Sequence, residues 1–181
     1  MKLQAPVPGP IDFQVVPYGK EHDAKTVQWL NNAELQEDFG LSRTITVESH
    51  RAWVDANPKT LIWAITRESR HLGNVLLDVN ENRRSAYLQI YLGEASDRGK
   101  GIGGMALSCV LDFGFKELAL HRIWLHTLPT NKVAEALYRK AGFVFEGTER
   151  DAVSRNGAFT DQHRWSLLHQ DWIDLKKAAQ K

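Results

Sequence analysis

The 181-residue sequence has little cysteine: its one cysteine, Cys109, cannot form a disulfide within the chain. No cluster of cysteine and histidine has the spacing of metal ligands, so we expect no metal. A sequence without structural disulfides is typical of a reducing compartment, and we therefore expect a cytoplasmic location.

The sequence also lacks a charge surplus and long apolar runs. Lysine and arginine number 23 against 22 aspartates and glutamates, which gives a formal net charge of +1. Proteins that neutralise nucleic-acid phosphates carry a clear basic surplus, so we expect no nucleic-acid partner. No stretch approaches transmembrane length, and the N-terminus MKLQAPVPGPIDF has no apolar signal-peptide core. We therefore expect no membrane partner.

What is present is a globular composition, 43% hydrophobic with 6 tryptophans, in which strand and helix patterns alternate. The strand patterns cover residues 11–18, 61–66, 72–79, 86–92, 121–128, 143–150 and 159–168, with a polar loop between the last two. The helical patterns cover residues 23–31, 47–57, a stretch starting at 102, and 131–143. The order β-α-α-β-β-β-α-β-α-β-β predicts a mixed α/β domain. We assign residues 1–10 to a flexible leader, 11–170 to this domain and 171–181 to a C-terminal tail with a short helix.

One segment is unusually rich in glycine: residues 97–104 read DRGKGIGG. Gly99, Gly101 and Gly104 satisfy the letters G-x-G-x-x-G of a dinucleotide-binding turn. That fingerprint opens a βαβ unit and needs an acidic residue about 20 positions on, at the end of the next strand. Here the next strand, RIWLHTL, has no carboxylate, and three strands and two helices precede the strand that leads into the loop. A P-loop is excluded as well, because G-x-x-x-x-G-K-S/T cannot be drawn.

A different pattern fits. RGKGIG, from Arg98 to Gly103, matches R/Q-x-x-G-x-G/A, and Asn131, Tyr138 and Gly142-Phe143 follow after one strand. With these motifs the sequence resembles the GNAT superfamily of acyl-CoA-dependent N-acyltransferases, notably its ribosomal-protein N-acetyltransferase-like branch. The resemblance extends from the first strand through WSLL at 165–168. It implies a mixed, mostly antiparallel sheet of about seven strands flanked by about four helices, with acetyl-CoA as cosubstrate.

The resemblance also implies a role for the glycine loop, which binds the CoA pyrophosphate in that family. The physical chemistry agrees, because the amides at a helix start are unpaired and partly positive. An arginine chelates phosphate oxygens and a lysine adds a point charge. The loop residues expected to bind the cofactor are Arg98, Gly99, Lys100, Gly101, Ile102, Gly103 and Gly104.

The next helix is expected to carry chemistry. Asn131 and Tyr138 are two helical turns apart and share a face, whereas Val133, Leu137 and Ala141 form a stripe expected to pack on the sheet. The resemblance implies that Asn131 contacts the CoA arm and that Tyr138 lies by the thioester sulfur. With an ordinary pKa of ~10, a tyrosine holds a proton for a departing thiolate. The family often has serine where this sequence has Ala134.

The resemblance further implies that strand 86–92 splays from its neighbour and binds pantetheine through its backbone. A backbone N–H at Tyr91 or Leu92 would then polarise the thioester carbonyl.

Two residues are candidates for the base that deprotonates the amine. His126 lies five residues before Asn131, and an ordinary histidine pKa of ~6.5 suits a base. Glu94 follows the strand 86–92 and would act through water. Each also has a purely structural interpretation, as a hydrogen-bonded sheet histidine and as a surface carboxylate.

The sequence says less about the acceptor. The residues expected to line its site are Trp29, Asn32, His50, Arg150 and Asp161, with Trp53 nearby. The run WLNNAEL…ESHRAWV loosely resembles enzymes of amino-sugar nucleotides, and EGTERDAV…NGAFTD resembles protein N-terminal acetyltransferases. An amino-sugar nucleotide, a polyamine-like metabolite and a protein N-terminal amine all stay open, as does a non-catalytic acyl-CoA-binding module. A homodimer is common among the relatives.

Overall fold

The computed structural model describes residues 13–39, 41, 44–155 and 157–179; the expected leader lies outside them. The described residues form seven strands: β1 (Phe13–Pro17), β2 (Thr60–Arg67), β3 (Arg70–Asn80), β4 (Ser85–Leu92), β5 (Arg122–Thr127), β6 (Val144–Arg155) and β7 (Ala158–Leu168). They also form six α-helices: α1 (Asp23–Leu30), α2 (Ala33–Phe39), α3 (Val47–Ala56), α4 (Ile102–Lys116), α5 (Lys132–Lys140) and α6 (His169–Ala178). Short 3₁₀ turns occupy Lys20–His22, Glu81–Arg83 and Ala95–Asp97.

The strands are hydrogen-bonded in the order β1-β2-β3-β4-β5-β7-β6. The pairs β1–β2, β2–β3, β5–β7 and β6–β7 are antiparallel, and β4–β5 is parallel. The mixed, mostly antiparallel sheet of seven strands confirms the predicted fold class. The helix predicted in the tail is confirmed as α6, whereas α2 is a helix that the sequence patterns did not predict.

The chain divides into two compact units. The N-terminal unit contains the described residues up to Asp78 together with Gln89–Val110. Its core combines side chains of β1, β2 and β3 with the buried face of α4. The fully buried members include Phe13, Trp63, Ile65, Leu72, Leu77, Ile102 and Leu107.

The C-terminal unit contains Val79–Leu88 and the described residues from Leu111 onward. Its core is built on β5, where every second residue is buried: Ile123, Leu125 and Thr127. This alternation leaves His126 on the opposite, less buried face, because successive side chains of a strand point to opposite sides. The helix α6 joins this core through Trp172, whose ring centroid lies 5.4 Å from that of Phe115.

Two local predictions were wrong. The polar loop expected after residue 150 is instead paired strand: β6 and β7 continue to Arg155 and Ala158, with register shifts between Glu149 and Val153. On α5, Val133 is 80% exposed, so it does not pack on the sheet as the predicted stripe required. The buried residues of α5 are Glu135 and Tyr138.

Candidate active site

The glycine loop is held by an ion pair between the buried Asp97 and the exposed Arg70. Asp97 is 3% exposed, and its carboxylate accepts hydrogen bonds from both terminal nitrogens of Arg70, at 2.9 and 2.7 Å. The hydrogen bonds from Arg70 hold the pKa of Asp97 below its usual value. A carboxylate that stays ionised anchors the β4–α4 connection to β3.

The loop backbone needs glycine at two positions. Gly99 and Gly101 have φ angles of +74° and +78°, and a Cβ at either would meet no other atom within 4 Å. Only glycine adopts this left-handed region without strain, so backbone handedness and not space makes these residues necessary. The loop ends at Ile102, where α4 begins.

The start of α4 suits an anion. The amide of Met105 donates to the carbonyl of Gly101, so the N–H groups of the preceding helical residues have no acceptor within the helix. The first turn holds no acidic side chain, and Lys100 beside it is exposed. These unpaired amides and the helix dipole form the kind of site that binds phosphate.

Arg98, expected to chelate phosphate, is ion-paired with Glu34 of α2. Its other terminal nitrogen lies 3.5 Å from the carbonyl oxygen of Leu92. The pair is partly exposed, and ion pairs of this kind contribute only about 0–1 kcal/mol. A doubly charged phosphate group would therefore compete well with Glu34 for this guanidinium.

The end of β4 lies unusually close to β3. A Cβ on Gly73 would sit 2.1 Å from the carbonyl oxygen of Tyr91 and 2.9 Å from the Cα of Leu92. Because both obstacles are backbone atoms, no side-chain movement relieves them. The register of β4 with β5 runs from Ser85 to Tyr87 only, so residues 88–92 have no register partner in β5 within the described chain.

Glu94 and Trp29 lie together. The indole Nε1 of Trp29 donates to the Glu94 carboxylate at 2.9 Å, and the Lys25 ammonium lies 2.7 Å from the same oxygen. Hydrogen bonds from Lys25 and then Trp29 lower the pKa of Glu94. Trp29 itself is 3% exposed and belongs to the core.

A cavity of about 280 Å³ lies in the N-terminal unit, between α1–α3 and the strands β2–β4. His50 lines this cavity, as does Trp53, whereas Trp29 and Asn32 are not among its lining residues. The hydroxyl of Tyr18 lies 3.0 Å from Nε2 of His50. Burial lowers the pKa of His50, against the influence of Asp23, so the imidazole is neutral at pH 7. Of the three acceptor-site residues predicted in this unit, Trp29, Asn32 and His50, the one that lines the cavity is therefore His50.

In the C-terminal unit, Tyr138 lies on the buried side of α5. It is 6% exposed, and burial, followed by the nearby Tyr87, raises the pKa of its hydroxyl. Its ring packs at 5.6 Å from that of Phe143, which follows the helix. A phenol in this environment keeps its proton throughout the physiological range.

Asn131 lies at the N-terminus of α5. Its side-chain oxygen accepts a hydrogen bond from the amide of Ala134 at 3.0 Å and so caps the helix. The cap uses the oxygen and not the Nδ2 group, which is a donor.

His126 lies in a cluster of three charged or titratable groups. Its Nε2 is 3.1 Å from an oxygen of Glu149 and 3.4 Å from Nε of Arg164, and Arg164 pairs with the other oxygen of Glu149 at 2.6 Å. Burial lowers the pKa of His126, whereas Glu149 raises it and Arg164 lowers it. The net shift is downward, so this imidazole is largely unprotonated at neutral pH and can accept a proton.

A second histidine–glutamate pair connects α5 with β7. Nδ1 of His163 is 2.6 Å from a carboxylate oxygen of Glu135, which is 6% exposed, and Lys132 lies 3.2 Å from the other oxygen. Burial alone would raise the pKa of Glu135, but the hydrogen bonds from His163 and Lys132 lower it. The pair fixes the side of α5 that carries Tyr138.

The sequence patterns did not indicate Glu149, Arg164 or Glu135 as site residues. Arg164 is the Cα partner of His126 in the β5–β7 pair, and strand register between distant segments cannot be read from one sequence. Arg150, predicted for the acceptor site, is exposed on β6; Asp161 on β7 accepts a hydrogen bond from the amide of Asp151 at 2.9 Å.

The described residues contain no group of three or more histidine, cysteine, aspartate or glutamate side chains able to hold a metal ion. Over the same part of the chain, every helix is too short or too polar to cross a bilayer.

Solved structures identify the fold. RimL, a ribosomal L7/L12 alpha-N-protein acetyltransferase solved with coenzyme A, superposes with a TM-score of 0.83 at 19% identity, covering 91% of this chain and 98% of that chain. The Vibrio cholerae spermidine N-acetyltransferase, solved with CoA and spermine, gives a TM-score of 0.83 at 22% identity, covering 90% of this chain and 98% of that one. At these identities the similarity shows the GNAT fold.

Sequence comparisons define the family. The family model of the acetyltransferase (GNAT) domain matches residues 14–144. The spermidine N(1)-acetyltransferase of Vibrio cholerae is 33% identical over 99 residues, which are 55% of this chain and 57% of that protein. The Bacillus subtilis protein named "Probable N-acetyltransferase YjcK" is 36% identical over 88 residues, 49% of this chain and 48% of that protein. The matched segment thus spans about half the length of these curated relatives. The chain belongs to the GNAT acetyltransferase family.

Proposed function

We propose that the protein is an acetyl-CoA-dependent N-acetyltransferase that moves the acetyl group to a primary amine by direct attack on the thioester. The observation that carries this proposal is the glycine loop: two left-handed glycines, Gly99 and Gly101, lead into a helix start without acidic side chains. Arg98 and Lys100 supply the cations, and the amides from Ile102 to Gly104 supply donors for the pyrophosphate.

Three groups complete the cofactor's proposed contacts. The Nδ2 group of Asn131 donates to the CoA arm. The backbone N–H of Tyr91 or Leu92 polarises the thioester carbonyl and stabilises the negative charge that develops on its oxygen. The close approach of Gly73 to these two residues supports this role, because it fixes the backbone in advance.

The proposed reaction needs one acid and one base. The amine nitrogen bonds to the carbonyl carbon, the carbon–sulfur bond breaks, and the thiolate takes the proton of Tyr138. His126 removes the proton from the amine, with Glu149 and Arg164 positioning it. Glu94 is the weaker candidate base, since its lowered pKa makes it a poor proton acceptor at neutral pH. No covalent enzyme intermediate is required.

The acceptor classes proposed from the sequence are a small amine metabolite and a protein N-terminal amine. The names of the relatives support both, since one is a spermidine acetyltransferase and a structural neighbour acetylates a ribosomal protein. The proposal further includes a cytoplasmic location and a homodimer. The protein's one cysteine, Cys109, is consistent with a reducing compartment.

The test is acetyl-CoA-dependent thiol release with a panel of amines, alongside calorimetric binding of acetyl-CoA. We expect release with at least one amine and loss of binding in Gly101→Glu, whose carboxylate would repel the pyrophosphate. Unchanged affinity in Gly101→Glu would refute the loop assignment. Binding without turnover of any amine would instead favour a non-catalytic acyl-CoA-binding module.

A further inference from the structure

The cavity of the N-terminal unit has a lining that discriminates among acceptors. It lies against β4, where Gln89 and Tyr91 face it, and α3 contributes His50 and Trp53. Its apolar lining residues are Leu30, Phe39, Leu41, Ile45, Trp53, Ile62 and Leu76. Its polar lining residues are Tyr18, Thr26, Ser49, His50, Asn74, Gln89 and Tyr91. Among the described residues, the lining therefore includes no aspartate, glutamate, lysine or arginine.

Much of the polar lining is already paired internally. The amide nitrogen of Asn74 donates to the hydroxyl of Tyr91 at 2.7 Å and to that of Thr26 at 2.9 Å. The Tyr18 hydroxyl and His50 form the 3.0 Å contact described above. Burial raises the pKa of Tyr91 to about 12 and lowers that of His50, so both groups are uncharged at neutral pH.

A buried carboxylate behind this lining is not available to a ligand cation. Asp23 is 4% exposed and lies 3.8 Å from His50, but Arg51 engages both of its oxygens, one of them at 2.9 Å from Nε. An arginine that pairs bidentately with a carboxylate satisfies its charge. The second ammonium of a polyamine would therefore be desolvated here without a counter-charge, which is costly.

The size of the cavity matches a modest apolar group. A dry apolar cavity of about 150 Å³ is enough to hold benzene in a well-studied protein. The volume of about 280 Å³ here accommodates a phenyl ring or branched alkyl group together with a short linker to the amine.

We propose that this cavity binds an uncharged aromatic or branched aliphatic group next to the accepting amine, so that such amines are acetylated in preference to polyamines and amino-sugar nucleotides. The proposal rests on the proposed acetyltransferase function, in which the same strand, β4, positions the thioester. Two kinds of acceptor carry such a group next to a primary amine. One is a free arylalkyl or alkyl amine, and the other is a peptide whose N-terminal residue is phenylalanine or leucine.

The first experiment compares kcat/KM for thiol release across matched acceptors. The free amines are 2-phenylethylamine, isopentylamine and spermidine, with an amino-sugar nucleotide; the peptides differ only in an N-terminal Phe, Leu, Gly or Lys. We expect apolar acceptors to exceed spermidine, the nucleotide and the Gly or Lys peptides at least tenfold. Whichever apolar acceptors have the higher kcat/KM, the free amines or the Phe and Leu peptides, indicate which kind of acceptor the protein uses. A preference for spermidine or the nucleotide would overturn the proposal while leaving the acetyltransferase function in place.

The second experiment changes the lining. Trp53 is 41% exposed, so Trp53→Ala should fold, and it should raise KM for the apolar acceptor at least fivefold with little change in kcat. Leu175→Ala, on α6 and 44% exposed, is the matched control and should change neither value. Gln89→Glu places a carboxylate in the cavity and should move selectivity at least tenfold toward spermidine, whereas Gln89→Leu should not. Equal losses for all amines in these variants would contradict the proposal.

Failure of the proposed function gives a distinct result. If acetyl-CoA binds but no amine releases thiol, binding of 2-phenylethylamine to the acetyl-CoA-loaded protein is measured by ligand-observed NMR. Binding that Trp53→Ala weakens at least fivefold would support the cavity's ligand class without catalysis. Absence of binding would overturn the inference.

Discussion

At the scale of single residues, the environments of Tyr138 and His126 shift the pKa values of these two side chains in opposite directions. Burial raises the pKa of the Tyr138 hydroxyl and lowers that of the His126 imidazole. At neutral pH the first therefore holds a proton to give and the second is ready to take one. Pairs of groups with oppositely perturbed pKa values are typical of acid–base catalysis.

Replacing Tyr138 by phenylalanine removes the proton and leaves the buried ring in place. We expect kcat to fall roughly 100-fold or more, the range of general acid catalysis, while the Kd for acetyl-CoA changes less than about twofold. Steady-state kinetics and calorimetry measure the two quantities. An unchanged kcat in Tyr138→Phe would argue against Tyr138 as the acid.

The pH dependence of kcat/KM distinguishes the two candidate bases. If His126 is the base, activity rises with pH through a pKa below its usual ~6.5. Glu149→Gln removes an influence that raises this pKa, so the acidic limb should move to lower pH. Arg164→Gln removes an influence that lowers it, so the limb should move to higher pH. Limbs that do not move, together with loss of activity in Glu94→Gln, would identify Glu94 instead.

At the scale of elements, Asn74 ties β3 to its neighbours. It is 1% exposed; its nitrogen donates to Tyr91 and Thr26, and its oxygen lies 2.9 Å from Nε2 of His71. Because these contacts join β3 to β4 and α1, the side chain holds one wall of the cavity at a fixed position. The nitrogen and the oxygen of the Asn74 amide are therefore both engaged in hydrogen bonds.

Asn74→Ala should therefore lower the free energy of unfolding by about 2–4 kcal/mol, since it leaves several buried polar partners unsatisfied. Urea denaturation followed by circular dichroism measures the change. Asn82→Ala, in the exposed turn after β3, is the matched control and should cost less than about 0.5 kcal/mol. A loss below 1 kcal/mol in Asn74→Ala would mean that water replaces the missing amide.

The elements also show which signals a sequence carries. A threonine directly before a helical pattern is such a signal, and Thr46 caps α3 by accepting a hydrogen bond from the amide of Ser49. The start of α4 directly after the glycine loop is likewise a local signal and was predicted. These features depend on neighbours within one helical turn, so one sequence contains them.

Nonlocal pairing accounts for what was missed. The extension of β6 beyond residue 150 is carried by polar residues on an exposed hairpin, whose alternation is easily taken for a loop. On α5 one of the two buried positions is occupied by Glu135, which is tolerated there because His163 and Lys132 pair with it. Hydrophobicity alone therefore selected the wrong side of this helix. Likewise, the base candidate His126 was visible in the sequence, but its partners on β6 and β7 were not.

At the scale of the whole molecule, carboxylates with lowered pKa values make the free energy of unfolding depend on pH in the acidic range. Lowered pKa values occur in both units, at Glu94, Asp97, Asp112, Glu135 and Glu146. Each such group stabilises the fold above its unfolded pKa and loses that contribution as pH falls through its folded pKa. We therefore expect the protein to become steadily less stable below about pH 4.5.

Glu146 provides the sharpest test. Arg122 donates two hydrogen bonds to it, at 2.5 and 2.6 Å, and lowers its pKa to about 2. Because the pair is partly exposed, solvent screening reduces its contribution to on the order of 1 kcal/mol. Glu146→Gln should lose this amount at pH 7 in urea denaturation, and its difference from the parent protein should shrink as the pH falls toward 2. Glu117→Gln, on an exposed residue after α4, should show no such difference, and a pH-independent deficit in Glu146→Gln would assign its effect to packing.

The left-handed backbone of the glycine loop has a consequence for chirality. At a φ of +78°, Gly101 occupies a region that is unfavourable for an L-residue and favourable for its mirror image, and an added Cβ meets no neighbour within 4 Å. L-alanine at this position should destabilise the loop by roughly 1–2 kcal/mol. D-alanine, introduced by chemical synthesis, should not. A methyl group of either hand occupies a similar volume, so the two enantiomers distinguish backbone strain from crowding of the ligand. Loss of cofactor affinity with both enantiomers would indicate crowding. Loss with L-alanine alone would indicate that the backbone conformation is responsible.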